Sequence, residues 1–489
     1  MWHEERLYID GELVAAEGGA TYENVDPSNE QVLGVAADAS SDDVRRAIAA
    51  ARRAFDETGW STDIALRVRC LRQLREAMLQ HHQELGDILT AEVGAPALLI
   101  DGPMLGVPRE LLGYYADMAE SYEWITDLGA MATLSGNARR WIEREPAGVV
   151  GAISPWNYPM QINLAKLAPA LATGCTVVLK SAPDTPWSAL ALGRLVAEHT
   201  DMPAGVFNVI TSADRAIGEV ITTDPRVDLI SFTGSTAVGR RIMEAAAPTI
   251  KRLFLELGGK SATIVLDDVA DMTNAVAGTC FQICTHGAQG CATTSRLLLP
   301  RSRYEEGVQA AAALLAALPY GEPRDPGNMT GPVINRAQRD RIEAYIQQGI
   351  DEGARLVMGG VRPPQFDTGF WVQPTLFADV DNQMTIAREE IFGPVLVAIP
   401  YDDEDDAVRI ANDSIFGLSG AVISDDRDHA MSVARRIRTG TMSINGGLWY
   451  GADVPFGGYK QSGVGREMGV SGFEEYLEQK AYAEPVASA

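Results

Sequence analysis

Three short stretches carry residues able to do chemistry. In His286-Gly287-Ala288-Gln289-Gly290-Cys291-Ala292-Thr293-Thr294-Ser295-Arg296, a cysteine sits in a polar, glycine-containing turn among small neighbours. That setting suits an accessible thiol, although a cysteine standing alone is more often a small buried apolar residue. In Glu256-Leu257-Gly258-Gly259-Lys260, a carboxylate ends an apolar run and precedes two glycines. Active sites of open α/β sheets gather at such strand ends, where a carboxylate can serve as general base; a charged strand end before a flexible turn is the plainer reading. In Thr233-Gly234-Ser235-Thr236-Ala237-Val238-Gly239, another apolar run gives way to a helical pattern. A junction of that kind offers unpaired backbone N–H groups and a positive helix end to a phosphate. Turn geometry is the commoner cause of its glycine, and the G-x-G-x-x-G fingerprint is absent. Cys280, Cys284, His286 and Cys291 match no common zinc spacing, and the first two fit a helical face, so no metal is assigned.

These residues need elements to hold them. Ser40-Ser41-Asp42-Asp43 reads as a helix start, with Val44, Ile48, Ala51 and Phe55 following on one face. A second helical pattern runs over 63–90 and ends near Gly94 and Pro96. Apolar strands at 149–153, 176–179, 206–210, 227–232 and 253–257 then alternate with helical patterns at 160–172, 186–199, 213–222 and 237–247. Strands apolar on both faces and separated by helices predict a parallel sheet covered on both sides. A further alternation, with strands at 296–299, 394–399, 421–423 and 441–444, predicts a second α/β domain. Residues 138–145 alternate like an exposed strand, and 473–482 would pair with it or with another subunit.

At 489 residues the chain is too long for one simple core, and 46% hydrophobic residues are ordinary for a folded protein. Against 66 Asp plus Glu there are 41 Lys plus Arg, a net charge of −25 that argues against a nucleic-acid partner. The N-terminus lacks a secretory pattern, no apolar run is long enough to span a bilayer, and five cysteines do not read as a disulfide framework. A cytoplasmic protein with no membrane association is expected.

From about Leu7 to Tyr482 the chain resembles the aldehyde dehydrogenase superfamily. The resemblance rests on six motifs in the family's order: Pro155-Trp156-Asn157-Tyr158-Pro159, Phe232-Thr233-Gly234-Ser235, Glu256 to Lys260, Gln289-Gly290-Cys291, Glu390-Ile391-Phe392-Gly393-Pro394 and Pro455-Phe456-Gly457-Gly458-Tyr459-Lys460. It implies two Rossmann-like parallel-sheet domains and a small β oligomerisation arm. Residues 1–128 and 147–257 would form the cofactor-binding domain and 258–455 the catalytic domain, leaving 129–146 and 456–489 for the arm and C-terminal segment. The implied reaction is oxidation of an aldehyde to its carboxylic acid. Cys291 matches the nucleophile, Asn157 the side-chain oxyanion donor, and Glu256 the base that activates the deacylating water. Lys166 and Glu467 match a charged pair near the proton route, with a structural ion pair as the competing reading. Ile153, Ser154, Trp156, Lys180, Pro183, Gly234, Ser235, Leu257, Glu390 and Phe392 match cofactor positions.

The sequence departs from the family pattern in several places. Pro183 stands where many members carry a glutamate that binds the adenine ribose and disfavours a 2′-phosphate, so NAD is expected with NADP open. Ala288 replaces the usual glycine before the Gln of the cysteine motif, and the Glu256-to-Cys291 spacing is one residue longer than usual. Tyr158, Gln161, Ala165, Trp449, Tyr450 and Phe456 match tunnel positions; aromatic walls suit an apolar or aromatic aldehyde, while core packing would also explain each of them. A dicarboxylic semialdehyde is disfavoured because no Arg or Lys guards the entrance. A CoA-acylating enzyme normally lacks the glutamate found here as Glu256, and a non-catalytic structural protein would have no reason to keep Cys291, Glu256 and Asn157 together. The arm implies a homodimer or homotetramer.

Overall fold

The unalternating apolar runs become buried strands. In the computed structural model, which describes residues 4–134 and 136–486, Phe207–Ile210, Thr176–Lys180, Val149–Ile153, Leu229–Thr233 and Arg252–Glu256 lie side by side in that order, all parallel. The chain builds outward from Val149–Ile153 on one side and then returns to its other flank. The carboxyl ends of Val149–Ile153 and Leu229–Thr233 therefore bound a crevice of the kind where α/β sheets bind ligands. Pro159–Thr173 and Pro186–His199 each begin with proline in the first turn, where no N–H is needed, and both are largely buried. Ser40 caps Ser41–Glu57 with a full capping box, and that helix buries Val44, Ala47, Ile48 and Ala51.

Some elements differ from the sequence reading. The helical stretch over 63–90 is two helices, Ile64–Gln80 and His82–Val93, broken at His81. The stretch at 213–222 shrinks to a 3-10 turn, Arg215–Ile217, and the short helix Gly218–Thr223. A hairpin of Arg6–Ile9 and Glu12–Ala15 extends the first sheet at one edge, and Gly463–Val464 closes the other, antiparallel to Arg252–Glu256. Part of the C-terminal segment thus serves the first sheet. A side chain at Gly463 would put Cβ 2.0 Å from the Leu255 carbonyl oxygen, so this approach requires glycine.

The second sheet has the order Arg355–Met358, Thr375–Ala378, Val395–Tyr401, Arg296–Pro300, Ala262–Val265, Gly420–Ile423, Ser443–Ile444, and only its first strand is antiparallel. Arg355–Met358, Thr375–Ala378 and Ala262–Val265 were not foreseen: a four-residue apolar run has too little periodicity to stand out. The third sheet joins Ile125–Thr133, Gly136–Pro146 and Leu477–Pro485, with Trp141 stacked on Tyr482. Its first strand begins at Ile125, ahead of the position 129 expected for the start of the arm. The C-terminal strand starts at Leu477, because Phe473 is buried in the helix Gly469–Glu474. Among the described residues no helix is long and apolar enough to cross a membrane.

Candidate active site

Glu256 ends the strand Arg252–Glu256 and is buried; its main chain accepts a hydrogen bond from the Gly234 N–H and pairs with Gly463. The two glycines that follow are required by close approach. A Cβ at Gly258 would lie 2.4 Å from Glu390 Oε2, and one at Gly259 would lie 2.3 Å from the Cys291 carbonyl oxygen. The motif that looked like a flexible turn is therefore the seam where the two large sheets meet at the cysteine.

Cys291 is partly exposed in the turn before Arg296–Pro300, and among the described residues its N–H has no hydrogen-bond partner. The approach to that turn is left-handed at His286, Gly287 and Ala288, with φ of 50°, 60° and 54°. Ala288 thus adopts a conformation that favours glycine. A closed set of hydrogen bonds ties this turn to Asn157. The Asn157 side-chain amide donates to the Gln289 carbonyl (2.7 Å), and the Gln289 side chain donates to the His286 carbonyl (3.1 Å) and accepts from the Ile334 N–H (3.0 Å). His286 Nε2 lies 2.9 Å from the Asn157 carbonyl, which accepts its proton, and the ring packs edge-on against Tyr158. Sequence reasoning weighed His286 only as a metal ligand; nothing local to its motif marks it as a strut under Asn157.

Burial, and next the Glu256 carboxylate beside it, hold the Cys291 thiol well above its ordinary range. Burial, then the Glu467 carboxylate, push Glu256 up as well, while Lys166 and the contact with Cys291 pull it down. Lys166 is fully buried in Pro159–Thr173; its ammonium lies 2.8 Å from Glu467 Oε1 and 3.3 Å from Ser231 Oγ, and 5.0 Å from the centre of the Phe254 ring. The structure thus places Cys291, Glu256, Lys166 and Glu467 within one electrostatic neighbourhood, although they lie up to 301 residues apart in sequence.

Beside the cysteine turn a small crevice is lined by Gly259, Gly290, Thr293, Glu390 and Phe392 among others; there Glu390 Oε1 accepts from the Gly259 N–H at 2.9 Å, and burial raises its carboxyl to about 7. Phe392, itself left-handed at φ 59°, meets Trp156 edge-to-face at 5.3 Å. Ser235 caps the helix Thr236–Ala246 directly after Leu229–Thr233, and Gly234 is needed there because a Cβ would touch the Phe232 ring. Leu257 packs under that helix against Gly239, and its N–H donates to the Ser462 carbonyl. Lys180 ends its strand almost fully buried, its ammonium lowered to about 8 by burial and then by Arg215. Ile153 pairs with it, and the Ser154 N–H donates to its carbonyl; the Ser154 hydroxyl is engaged with Asn163. Pro183 lies in the next turn, beside Asp184, whose two oxygens are taken by Asn335 and Arg215.

Tyr158, Ala165, Trp449, Tyr450 and Phe456 belong to one apolar cluster with Cys291. Trp449 and Phe456 stack face to face at 5.6 Å, and Cys291 and Tyr158 are electrostatic neighbours of the Tyr450 phenol. Ala165 is fully buried within its helix. Two larger grooves, one lined by Arg69, Arg72 and His199 and one by His81, Ile88 and Trp187, share no residue with this crevice.

Known proteins resemble this arrangement over its full length. Residues 13–482 match the sequence model of the aldehyde dehydrogenase family. The chain is 42% identical to a 3-succinoylsemialdehyde-pyridine dehydrogenase of a Pseudomonas species, covering 97% of both chains. It is 40% identical to the geranial dehydrogenase of Castellaniella defragrans, covering 98% of both. The crystal structure of a Mycobacterium tuberculosis aldehyde dehydrogenase complexed with NAD+ superposes with a TM-score of 0.94 at 41% identity, covering 99% of both chains. A mutant of aldehyde dehydrogenase C from Pseudomonas syringae, complexed with NAD+ and octanal, gives 0.92 at 40% identity, covering 98% of this chain and 96% of that one. This chain belongs to the aldehyde dehydrogenase family.

Proposed function

We propose that Cys291 is the nucleophile in an NAD+-dependent oxidation of an apolar or aromatic aldehyde to its carboxylic acid. The observation that carries this reading is the meeting of Cys291, Asn157 and Glu256 at the strand ends, with the Asn157 amide and the cysteine turn locked together by hydrogen bonds. A dinucleotide fits the residues present. The helix start at Ser235 offers backbone N–H groups to a pyrophosphate. The buried Lys180 and the partly buried Glu390 are groups able to bond ribose hydroxyls, and Trp156 with Phe392 forms an aromatic wall. When bound, NAD+ supplies the two-electron acceptor.

The chain's own residues then divide the work. The resting thiol is neutral, so its proton must leave as the Cys291 sulfur attacks the aldehyde carbon, and Glu256 is the nearby group able to take it. The oxyanion that forms is held by the Cys291 N–H and by the Asn157 side-chain amide, which carries a second N–H beyond the one given to Gln289. Oxidation leaves a thioester on Cys291. Once that first proton has passed from Glu256 to solvent, its carboxylate removes a proton from water as the water attacks the thioester and returns it to the departing Cys291 sulfur, releasing the acid and the free thiol. Lys166 favours the ionised form of Glu256, and Glu467 opposes it.

Glu256→Gln tests this division. With NAD+ and an aldehyde it should give a burst of reduced cofactor followed by little turnover, and Cys291→Ala should give neither; an unchanged steady state in Glu256→Gln overturns its role. The exposed Ile125, Leu128 and Met131 of the three-stranded sheet suit subunit contacts, which supports a homodimer or homotetramer. The net charge of −25 disfavours a nucleic-acid partner.

A further inference from the structure

Two neutral polar groups at positions expected to line the tunnel are left without partners. The Tyr450 hydroxyl is enclosed and makes no hydrogen bond among the described residues, and the same holds for the side-chain oxygen of the buried Gln161. The amide nitrogen of Gln161 meets only the Met468 sulfur, at 3.9 Å, a weak acceptor. Leaving such groups unsatisfied is costly, and each calls for a reason. Both reach the same segment: Gln161 touches Met468, while Glu467, Tyr158 and Cys291 are the electrostatic neighbours of the Tyr450 phenol. Around them the wall is aromatic, with Trp449 stacked on Phe456. The charges nearby are the carboxylates of Glu256 and Glu467, and the buried cation, Lys166, is already bonded to Glu467. Among the described residues, no free cation is recorded beside Tyr450 to meet a substrate carboxylate.

We propose, building on the oxidation reading above, that Tyr450 and Gln161 form a neutral hydrogen-bonding station in the aldehyde pocket. The preferred substrates are then aromatic aldehydes that carry an uncharged hydroxyl or carbonyl oxygen away from the reacting carbon. Plain hydrocarbon aldehydes leave the station unsatisfied, and a site built to bond a polar group discriminates against the analogue that lacks it. Dicarboxylic semialdehydes are excluded by the carboxylates.

The test compares 3-phenylpropanal with its 2-, 3- and 4-hydroxyphenyl counterparts and with succinic semialdehyde, as kcat/KM with NAD+. At least one hydroxyphenyl isomer should exceed the parent by about tenfold, and succinic semialdehyde should be the poorest substrate. That preference should fall by most of its size in Tyr450→Phe or in Gln161→Leu. Affinities measured by calorimetry in a Cys291→Ala background, where the aldehyde is not consumed, report the same preference if either variant turns over too slowly to assay. No preference for any isomer, a preference unchanged in both variants by turnover and by binding, or efficient oxidation of succinic semialdehyde each overturn the proposal. Absence of turnover with every aldehyde would instead overturn the oxidation reading on which it rests.

Discussion

Replacing Lys166 by methionine separates the two roles its position allows. The ammonium is fully buried, 2.8 Å from Glu467 Oε1, and Glu467 is itself only 5% exposed. Methionine keeps most of the aliphatic stem but strands the Glu467 carboxylate without its cation. Breaking a buried ion pair from one side costs roughly 3–5 kcal/mol, whereas replacing both partners with apolar side chains is often near neutral. Lys166→Met and Glu467→Leu should therefore each destabilise the protein by that amount. The double variant should lose far less than the sum, with a coupling of about 3 kcal/mol or more. Chemical denaturation of the four proteins, read by tryptophan fluorescence, measures it. The functional half follows from Glu256, whose ionisation Lys166 favours. Without Lys166 the Glu256 carboxyl holds its proton to higher pH, so the acid limb of the steady-state rate should move to higher pH. Additive stability losses would refute the ion pair as a coupled unit. An acid limb that stays in place would refute its link to deacylation.

Two other substitutions probe the strut beneath the oxyanion site. Asn157→Ala removes the side-chain donor and should lower kcat by roughly 10²–10³, while alkylation of Cys291 by iodoacetamide keeps its rate within a few-fold; a loss under tenfold in kcat would remove Asn157 from the oxyanion site. His286 is held neutral by burial, which lowers it from 6.5 to about 4 against the opposing pull of its bond to the Asn157 carbonyl. Because its folded pKa lies below the unfolded one, its contribution is complete above about 6.5 and is lost as pH falls through about 4. The unfolded chain takes up the proton that the native ring refuses. Between pH 7 and 4, wild type should lose about 3 kcal/mol more than His286→Gln; equal losses in equilibrium unfolding would contradict this.

The parts of the site legible in the sequence are those encoded by contiguous residues. Glu256 sits in a motif whose two glycines are now explained by close approach of the Glu390 side chain and the Cys291 carbonyl, and Ser40 announced its helix through a local capping pattern. The parallel strands of the first sheet were readable because both faces are buried, which removes alternation from the sequence. What escaped is set by partners distant in the chain. The strand Gly463–Val464 has two residues and exists only because Leu255 and Glu256 offer it an edge. Gly258 and Gly259 read as a flexible turn because their crowding comes from Glu390 and Cys291, more than 30 positions away. His286 was weighed only in a zinc set that its spacing ruled out, because its partner, the Asn157 carbonyl, lies 129 residues upstream. Unpartnered atoms such as the Tyr450 hydroxyl are invisible in sequence, since satisfaction belongs to an atom in its surroundings.

The same distinction explains why a reactive cysteine can rest safely in this fold. Motif grammar locates Cys291 but says nothing about its protonation, which is set by burial and by side chains from three other segments. Burial comes first, and the carboxylates of Glu256, Glu390 and Glu467 then add to it, each favouring the protonated sulfur. No cation stands among the leading influences on Cys291, because Lys166 is spent on Glu467 and acts on Glu256. A thiolate is the species that oxidants and stray electrophiles attack, so a site that keeps the thiol neutral lowers that exposure. The cost is that deprotonation must accompany the attack on the aldehyde, which requires a base in contact with the sulfur. On the proposed reading, Glu256, placed by Gly258 and Gly259 at the seam between the sheets, is the group to meet this demand.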